Sequence, residues 1–269
     1  MRPFRALPGG PLVLNSLVVL IASLLLTAWW LKTPPGLLGK ADAVGYAVCH
    51  RIAERSFFLG DRQTPLCARC SGMYLGALAG IVYLSRFGRR GGAPSLKISI
   101  VLGLFLAAFA LDGANSYLHF FPQAPGLYQP QNWLRLITGT GLGVGIAAML
   151  TPVFHQTIWQ KFAPEPALGT WRQFLPLLAA AAVIDAMVWS GNLLFLYPLA
   201  VLSSVGILVI LTMVYTVVWV MLSKQENRFT SLHSLGVLLV AGFATALLQI
   251  AVIDAGRYWL TGTWAGFNL

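Results

Sequence analysis

The chain has 269 residues, 57% of them hydrophobic and 10% charged, with a mean hydropathy of +0.74 and a formal net charge of +10. A soluble globular domain carries about 25% charged residues, so the composition excludes that class and predicts a polytopic helical membrane protein in a lipid bilayer. Basic residues of such proteins collect in loops and set orientation. No long basic run or nucleic-acid motif accompanies the charge, which argues against a nucleic-acid partner. No nucleotide fingerprint, Ser-His-Asp set or HExxH helix is present either, so the small-molecule substrate stays unknown.

Hydropathy predicts an all-α bundle of about seven spans, near 11–31, 66–86, 96–118, 133–153, 174–193, 198–222 and 231–253. Arg2 and Arg5 precede the first apolar run, which is longer than a signal peptide's and reads as a retained span. Between spans one and two lies a loop containing CHRIAERSFFLGDRQTPLCARC, which holds all three cysteines of the chain, Cys49, Cys67 and Cys70, together with His50. Cys67 and Cys70 form a CxxC at the start of span two, with Tyr74 one turn further on. A helix N-terminus and the adjacent Arg69 both favour thiolate, the form that binds metal or attacks a disulfide.

Three thiolates and one imidazole would satisfy a tetrahedral zinc site, or a site for another thiolate-bound metal. Adjacent Cys49 and His50 can both ligate one ion only with a strained backbone, so His50 is either the fourth ligand or a partner to one. Ser71 rather than His follows Cys70, which excludes c-type haem attachment. Thiol–disulfide chemistry and reduced structural thiols remain the alternatives.

Span two carries Gly72, Gly76 and Gly80 at four-residue spacing, and span four carries Gly139 with Gly143 and Gly141 with Gly145. Such spacing lets helix backbones approach closely, so Gly72, Gly76 and Gly80 predict a helix–helix partner. Asp112 and Asn115 lie late in span three, and a carboxylate at that depth needs a partner. Arg135 opens span four on the same side and is the expected counter-ion. Asp185, late in span five, has no local partner and is a candidate intramembrane functional carboxylate. Alternating direction puts Asp112, Asp185, Asp254 and Arg257 on the side of the cysteine loop. Positions 174–223 are almost unbroken apolar sequence, with Ser190-Gly191-Asn192 and Pro198 marking the expected turn. The short basic loop RFGRRGGAPSLK places the N-terminus in the cytoplasm and the cysteine loop outside.

Four blocks in order, CHRIAERSFF, PLCARCSGMYLG, LDGANSYLHFF and LYQPQNWLRLITG, resemble the successive motifs of a prokaryotic membrane-protein family, Domain of Unknown Function 2085. The resemblance runs from about Tyr46 to Met149 and implies an integral protein of the prokaryotic cytoplasmic membrane, without a settled activity. Cys49, His50, Arg55, Cys67, Cys70, Tyr74, Asp112, Asn115 and Arg135 match its polar motifs. The expected organisation is one integral membrane domain over 1–269, with a family-like core at 46–149 and additional transmembrane helices at 155–269. The leading functional reading is a Cys/His metal site at one membrane face, surrounded by a polar pocket of Arg55, Arg69, Tyr74, Asp112, Asn115 and Arg135. A quinone-coupled thiol–disulfide oxidoreductase is the enzymatic alternative. A transporter or an accessory subunit of a membrane complex is the third.

Overall fold

The computed structural model describes residues 10–121 and 126–265, so Arg2 and Arg5 lie outside the described residues. It is an all-α helical bundle with two small sheets. In chain order come α1 (Gly10–Lys32), α2 (Leu37–Val48), a 3₁₀ turn (Ala53–Arg55), β1 (Ser56–Leu59), β2 (Arg62–Cys67), α3 (Ala68–Ser85) and β3 (Arg90–Gly92). Then follow α4 (Leu96–Leu118), α5 (Asn132–Ile158), β4 (Ala163–Pro166), α6 (Trp171–Trp189), α7 (Leu193–Leu222) and α8 (Leu232–Thr261).

Six helices, α1, α4, α5, α6, α7 and α8, are long and apolar enough to cross a bilayer. Their outer faces expose Leu12, Leu20 and Leu24 on α1, Ile100 and Leu104 on α4, and Val252 on α8, a distribution that lipid, not water, accommodates. The expected span at 66–86 is α3, whose 18 residues traverse the bundle beside α5. It is less apolar than the others because Arg69, Tyr74 and its glycines dilute it. A helix packed among helices does not need the lipid-facing leucines that raise hydropathy.

The α3–α5 pair is the centre of the bundle, and glycine makes it. A Cβ on Gly72 would run into the Leu136 carbonyl, one on Gly76 would come within 2.6 Å of the Thr140 carbonyl, and one on Gly80 would strike the Ala147 side chain. From the other side, Gly139 faces the Arg69 carbonyl and Gly143 that of Met73. The contacts advance together along both helices, so α3 and α5 run parallel, backbone against backbone. The partner expected for Gly72, Gly76 and Gly80 is therefore α5 of the same chain. Gly141, one face round, packs on Phe105 of α4. On the far side Gly206 of α7 meets the Tyr74 carbonyl, and Gly242 of α8 meets Thr216 of α7.

The long apolar stretch divides at Ser190-Gly191-Asn192, where Gly191 takes φ +66 and the Asn192 side chain accepts from the Leu194 N–H at 3.0 Å. Pro198 does not mark the turn; it sits within the early turns of α7. Nor is the segment between the first two spans a simple loop. It holds α2, the 3₁₀ turn and an antiparallel hairpin of β1 and β2, turned at Gly60 with φ +64. Lys40 of α2 is buried against the end of α1, where its ammonium donates to the carbonyls of Trp30 and Thr33 and closes that helix C-terminus.

Candidate metal centre

The cysteines are gathered by three different elements. Cys49 ends α2 with its N–H bonded to the Gly45 carbonyl at 2.9 Å, Cys67 ends β2, and Cys70 lies in the first turn of α3. Gly45 lies so close to Pro65 that a Cβ there would collide with the Pro65 carbonyl, which is how α2 is pressed onto β2. The three Sγ atoms lie within 4.8 Å of one another, and all three cysteines are free thiols. Cys49 is 4% exposed. Its sulfur accepts two main-chain N–H groups, from Arg51 at 3.4 Å and from Cys67 at 3.3 Å. Arg51 reaches back in this way because its backbone is left-handed, with φ +53.

The surroundings bias the thiols against one another. Hydrogen bonding with Cys67 pushes the Cys49 thiol up to about 12, with burial adding to it. Cys67 is held well below the ordinary thiol range, first by its hydrogen bond with Cys49 and then by that with Cys70, with Arg69 contributing. Arg55, Arg69 and Arg135 lie within electrostatic reach of Cys67, and Arg257 within reach of Cys49.

His50 is exposed and lies outside the cluster of sulfurs. Cys49 has extended backbone, with φ −131 and ψ 143, and successive side chains of an extended segment point to opposite sides. Cys49 faces in and His50 faces out. Tyr74 stands half-buried beside Cys67 and Cys70.

Among the polar residues expected around the thiols, hydrogen bonds join Arg55 and Arg69 to α4, and one expected pairing changes partner. Asp112 is 1% exposed and pairs with Arg69, not Arg135; the Arg69 guanidinium donates to its carboxylate and, at 3.0 Å, to its main-chain carbonyl. Tyr128 donates to the other carboxylate oxygen at 2.8 Å, and Arg69 also reaches Ser116 Oγ at 2.9 Å. The glycine contacts of α3 with α5 carry Arg69 to α4, whereas Arg135 turns back to Asn132 Oδ1 at 2.8 Å. Asn115 fixes the chain after α4, accepting from the Leu127 N–H at 2.7 Å and donating to the Tyr128 carbonyl at 2.8 Å. Arg55 donates to the Ser116 carbonyl at 3.1 Å and stacks 3.9 Å from the centre of the Phe120 ring. Asp185 is remote from these contacts; it accepts from Thr140 at 2.6 Å.

Three supports of the thiols escaped the sequence reading. Asp42 of α2 pairs with Arg51 at 3.0 Å and with Arg62 of the hairpin at 2.6 Å. Tyr46 is fully buried, its hydroxyl bonded to Thr261 Oγ1 and donated to the Thr263 carbonyl, both at 2.8 Å. Arg257 of α8 covers the Tyr46 ring and donates to the carbonyls of Tyr46, Cys49 and His50. The end of the last helix thus clamps the turn that presents Cys49. The only sequence signal was the sidedness of Arg257.

Comparison with known proteins falls on the same segment. Residues 49–149 match the family described as "Predicted membrane protein (DUF2085)". An uncharacterized protein of Methanocaldococcus jannaschii is 31% identical over 120 residues, 45% of this chain and 72% of that one. The chain belongs to this family. A second uncharacterized protein, from Methanothermobacter thermautotrophicus, is 28% identical over 108 residues, 40% of this chain and 88% of its own length. No solved structure matches the chain. The matched residues include the three cysteines, Arg69, Asp112 and Arg135, whereas Tyr46, Asp185 and Arg257 lie beyond them.

Proposed function

We propose that the protein holds one soft metal ion, zinc or another thiolate-loving cation, on Cys49, Cys67 and Cys70 at one face of the membrane. The observation that carries this reading is the convergence of three free sulfurs within 4.8 Å of one another. The donor set fits the group. Sulfur suits such ions, main-chain N–H groups on Cys49 Sγ favour a charged sulfur, and four arginines offset an anionic cluster that neutral thiols would not need. Bound metal would supply a structural tie or a Lewis-acid centre. The chain's own residues orient the sulfurs through Arg51 and Arg257 and keep bulk water away through Tyr46 and the hairpin. His50 belongs to the surroundings of the donor set, with Arg55, Arg69, Tyr74, Asp112, Asn115 and Arg135.

On this reading the chain is one integral domain of the prokaryotic cytoplasmic membrane. Residues 46–149 supply the thiols and 155–269 add the clamp. The basic loop at 86–97 lies in the cytoplasm with the N-terminus, and the thiols lie outside. Reporter insertions at Gly88 and Gly60 test the orientation; an external Gly88 reverses it.

Metal analysis of protein purified without chelators tests the centre. About one ion per chain is expected in the wild type and less than a tenth of that in Cys67→Ser. Metal-free wild type carrying a Cys67–Cys70 disulfide, exchangeable with a thiol carrier or a quinone, would replace the metal reading with the oxidoreductase one. Metal-free, reduced protein whose cysteine-free variant folds unchanged would leave the thiols structural.

A further inference from the structure

A cavity of about 580 Å³ lies on the flank of the bundle, lined by residues of α4, α5 and α6. Its size is that of a small-molecule site, which commonly spans about 300–1,000 Å³. Phe105, Leu178 and their neighbours make the walls apolar, and Asp185 is the ionisable side chain among its lining residues. Oδ1 of Asp185 accepts from Thr140 at 2.6 Å, and among the described residues Oδ2 accepts no hydrogen bond. Two indoles, Trp133 at the start of α5 and Trp189 at the end of α6, complete the lining. Asp185 is one helical turn from that end of α6, roughly 6 Å along the axis at 1.5 Å per residue, so a group entering from the membrane interface reaches it.

We propose that this cavity binds a hydrophobic monocation, an ammonium-class charge on an aromatic or branched apolar body, taken from the bilayer. Each part of the lining selects for it. A neutral acyl chain would fill the walls but leave the carboxylate facing hydrocarbon, which is costly. An anion would be repelled. A cation gains an ion pair in a medium of low dielectric and aromatic neighbours in the same lining, while its apolar body fills the remaining space. Thr140 holds the carboxylate in place. The site is separate from the thiols and does not depend on the metal reading.

Saturable binding of radiolabelled tetraphenylphosphonium to the full chain in lipid nanodiscs tests the proposal, with tetraphenylborate as the competitor of the same shape and opposite charge. About one cation per chain should bind, tetraphenylborate should not displace it, and Cys67→Ser should bind as wild type does. Asp185→Asn keeps an oxygen for Thr140 and should weaken binding at least tenfold. Ala182→Trp, which fills the cavity from its lining, should abolish binding in monodisperse protein and decides the matter if Asp185→Asn does not fold. Binding unchanged in either variant, displacement by tetraphenylborate, or no saturable binding by the wild type would each overturn the proposal, the last two pointing to a hollow that lipid tails fill.

Discussion

The two ends of the bundle differ in how deeply they bury their charges. At the thiol end the charges are buried: Lys40, Arg51, Asp112, Arg135 and Asp254 are the buried charged residues among those described, and all belong to it. The three ion pairs found among the described residues stand there too. At the other end, where β3 pairs with β4, Arg89 lies 3.9 Å from the centre of the Trp159 ring and Arg90 lies 5.3 Å from that of Phe87. Arg89 donates to the Thr230 carbonyl and Arg90 to that of Pro166. That end uses arginine as a membrane boundary does, on aromatic faces and loop carbonyls beside water. Burying charge costs several kcal/mol per ion unless it is paired, so the thiol end carries a cost that orientation alone does not require. The difference supports the proposal that places the site at the thiol end.

The comparison breaks most visibly at Asp112. Asp112→Ala leaves Arg69 without its carboxylate, and about 3–5 kcal/mol of stability should go. The double variant Arg69→Ala/Asp112→Ala should lose less than the sum of the two singles, because no orphan charge remains. Unfolding in detergent followed by circular dichroism measures both, and strictly additive losses would contradict the pairing. Arg257→Ala comes next, at about 1–3 kcal/mol, since the carbonyls of Tyr46, Cys49 and His50 lose a charged donor together. On the metal reading it should also weaken metal binding about 10–100-fold, as loss of a support to a ligand does. Arg257→Lys should restore only part, because an ammonium lacks the forked donors. Lys40→Met should cost about 1–2 kcal/mol, because the carbonyls closing α1 lose their donor in a buried place.

The same contrast explains what could be read without a structure. Spans were legible because twenty apolar residues have few alternatives, and the break at Gly191 because a left-handed turn favours glycine. The CxxC was legible because its spacing is local. By contrast, LLGKADAVGYAV reads as a loop, since Lys40 and Asp42 interrupt a short, weakly apolar run. It becomes α2 because Tyr46, Ala43 and Val44 are buried by the hairpin and by the last two helices. The counter-ion of Asp112 was misassigned for a related reason. Sidedness offered Arg69 and Arg135 equally, and the choice depends on how far α3 is slid along α5, which the glycine contacts fix in space. Arg257 was hidden because its partners are main-chain carbonyls some two hundred residues away, and carbonyls leave no mark in a sequence.

Arg89→Ala should have the smallest effect, and for that reason it tests the comparison from the other side. The substitution removes a guanidinium stacked on Trp159 and one hydrogen bond to the Thr230 carbonyl. Cation–π stacking at a partly exposed position contributes about 0.5–1 kcal/mol. The Thr230 carbonyl lies on an exposed loop, where water replaces the lost donor, so no buried acceptor is orphaned. The expected loss is about 1 kcal/mol or less, with metal content unchanged. A loss of about 3 kcal/mol or more would mean that both ends depend on their charges alike, and the burial of charge at the thiol end would no longer single it out.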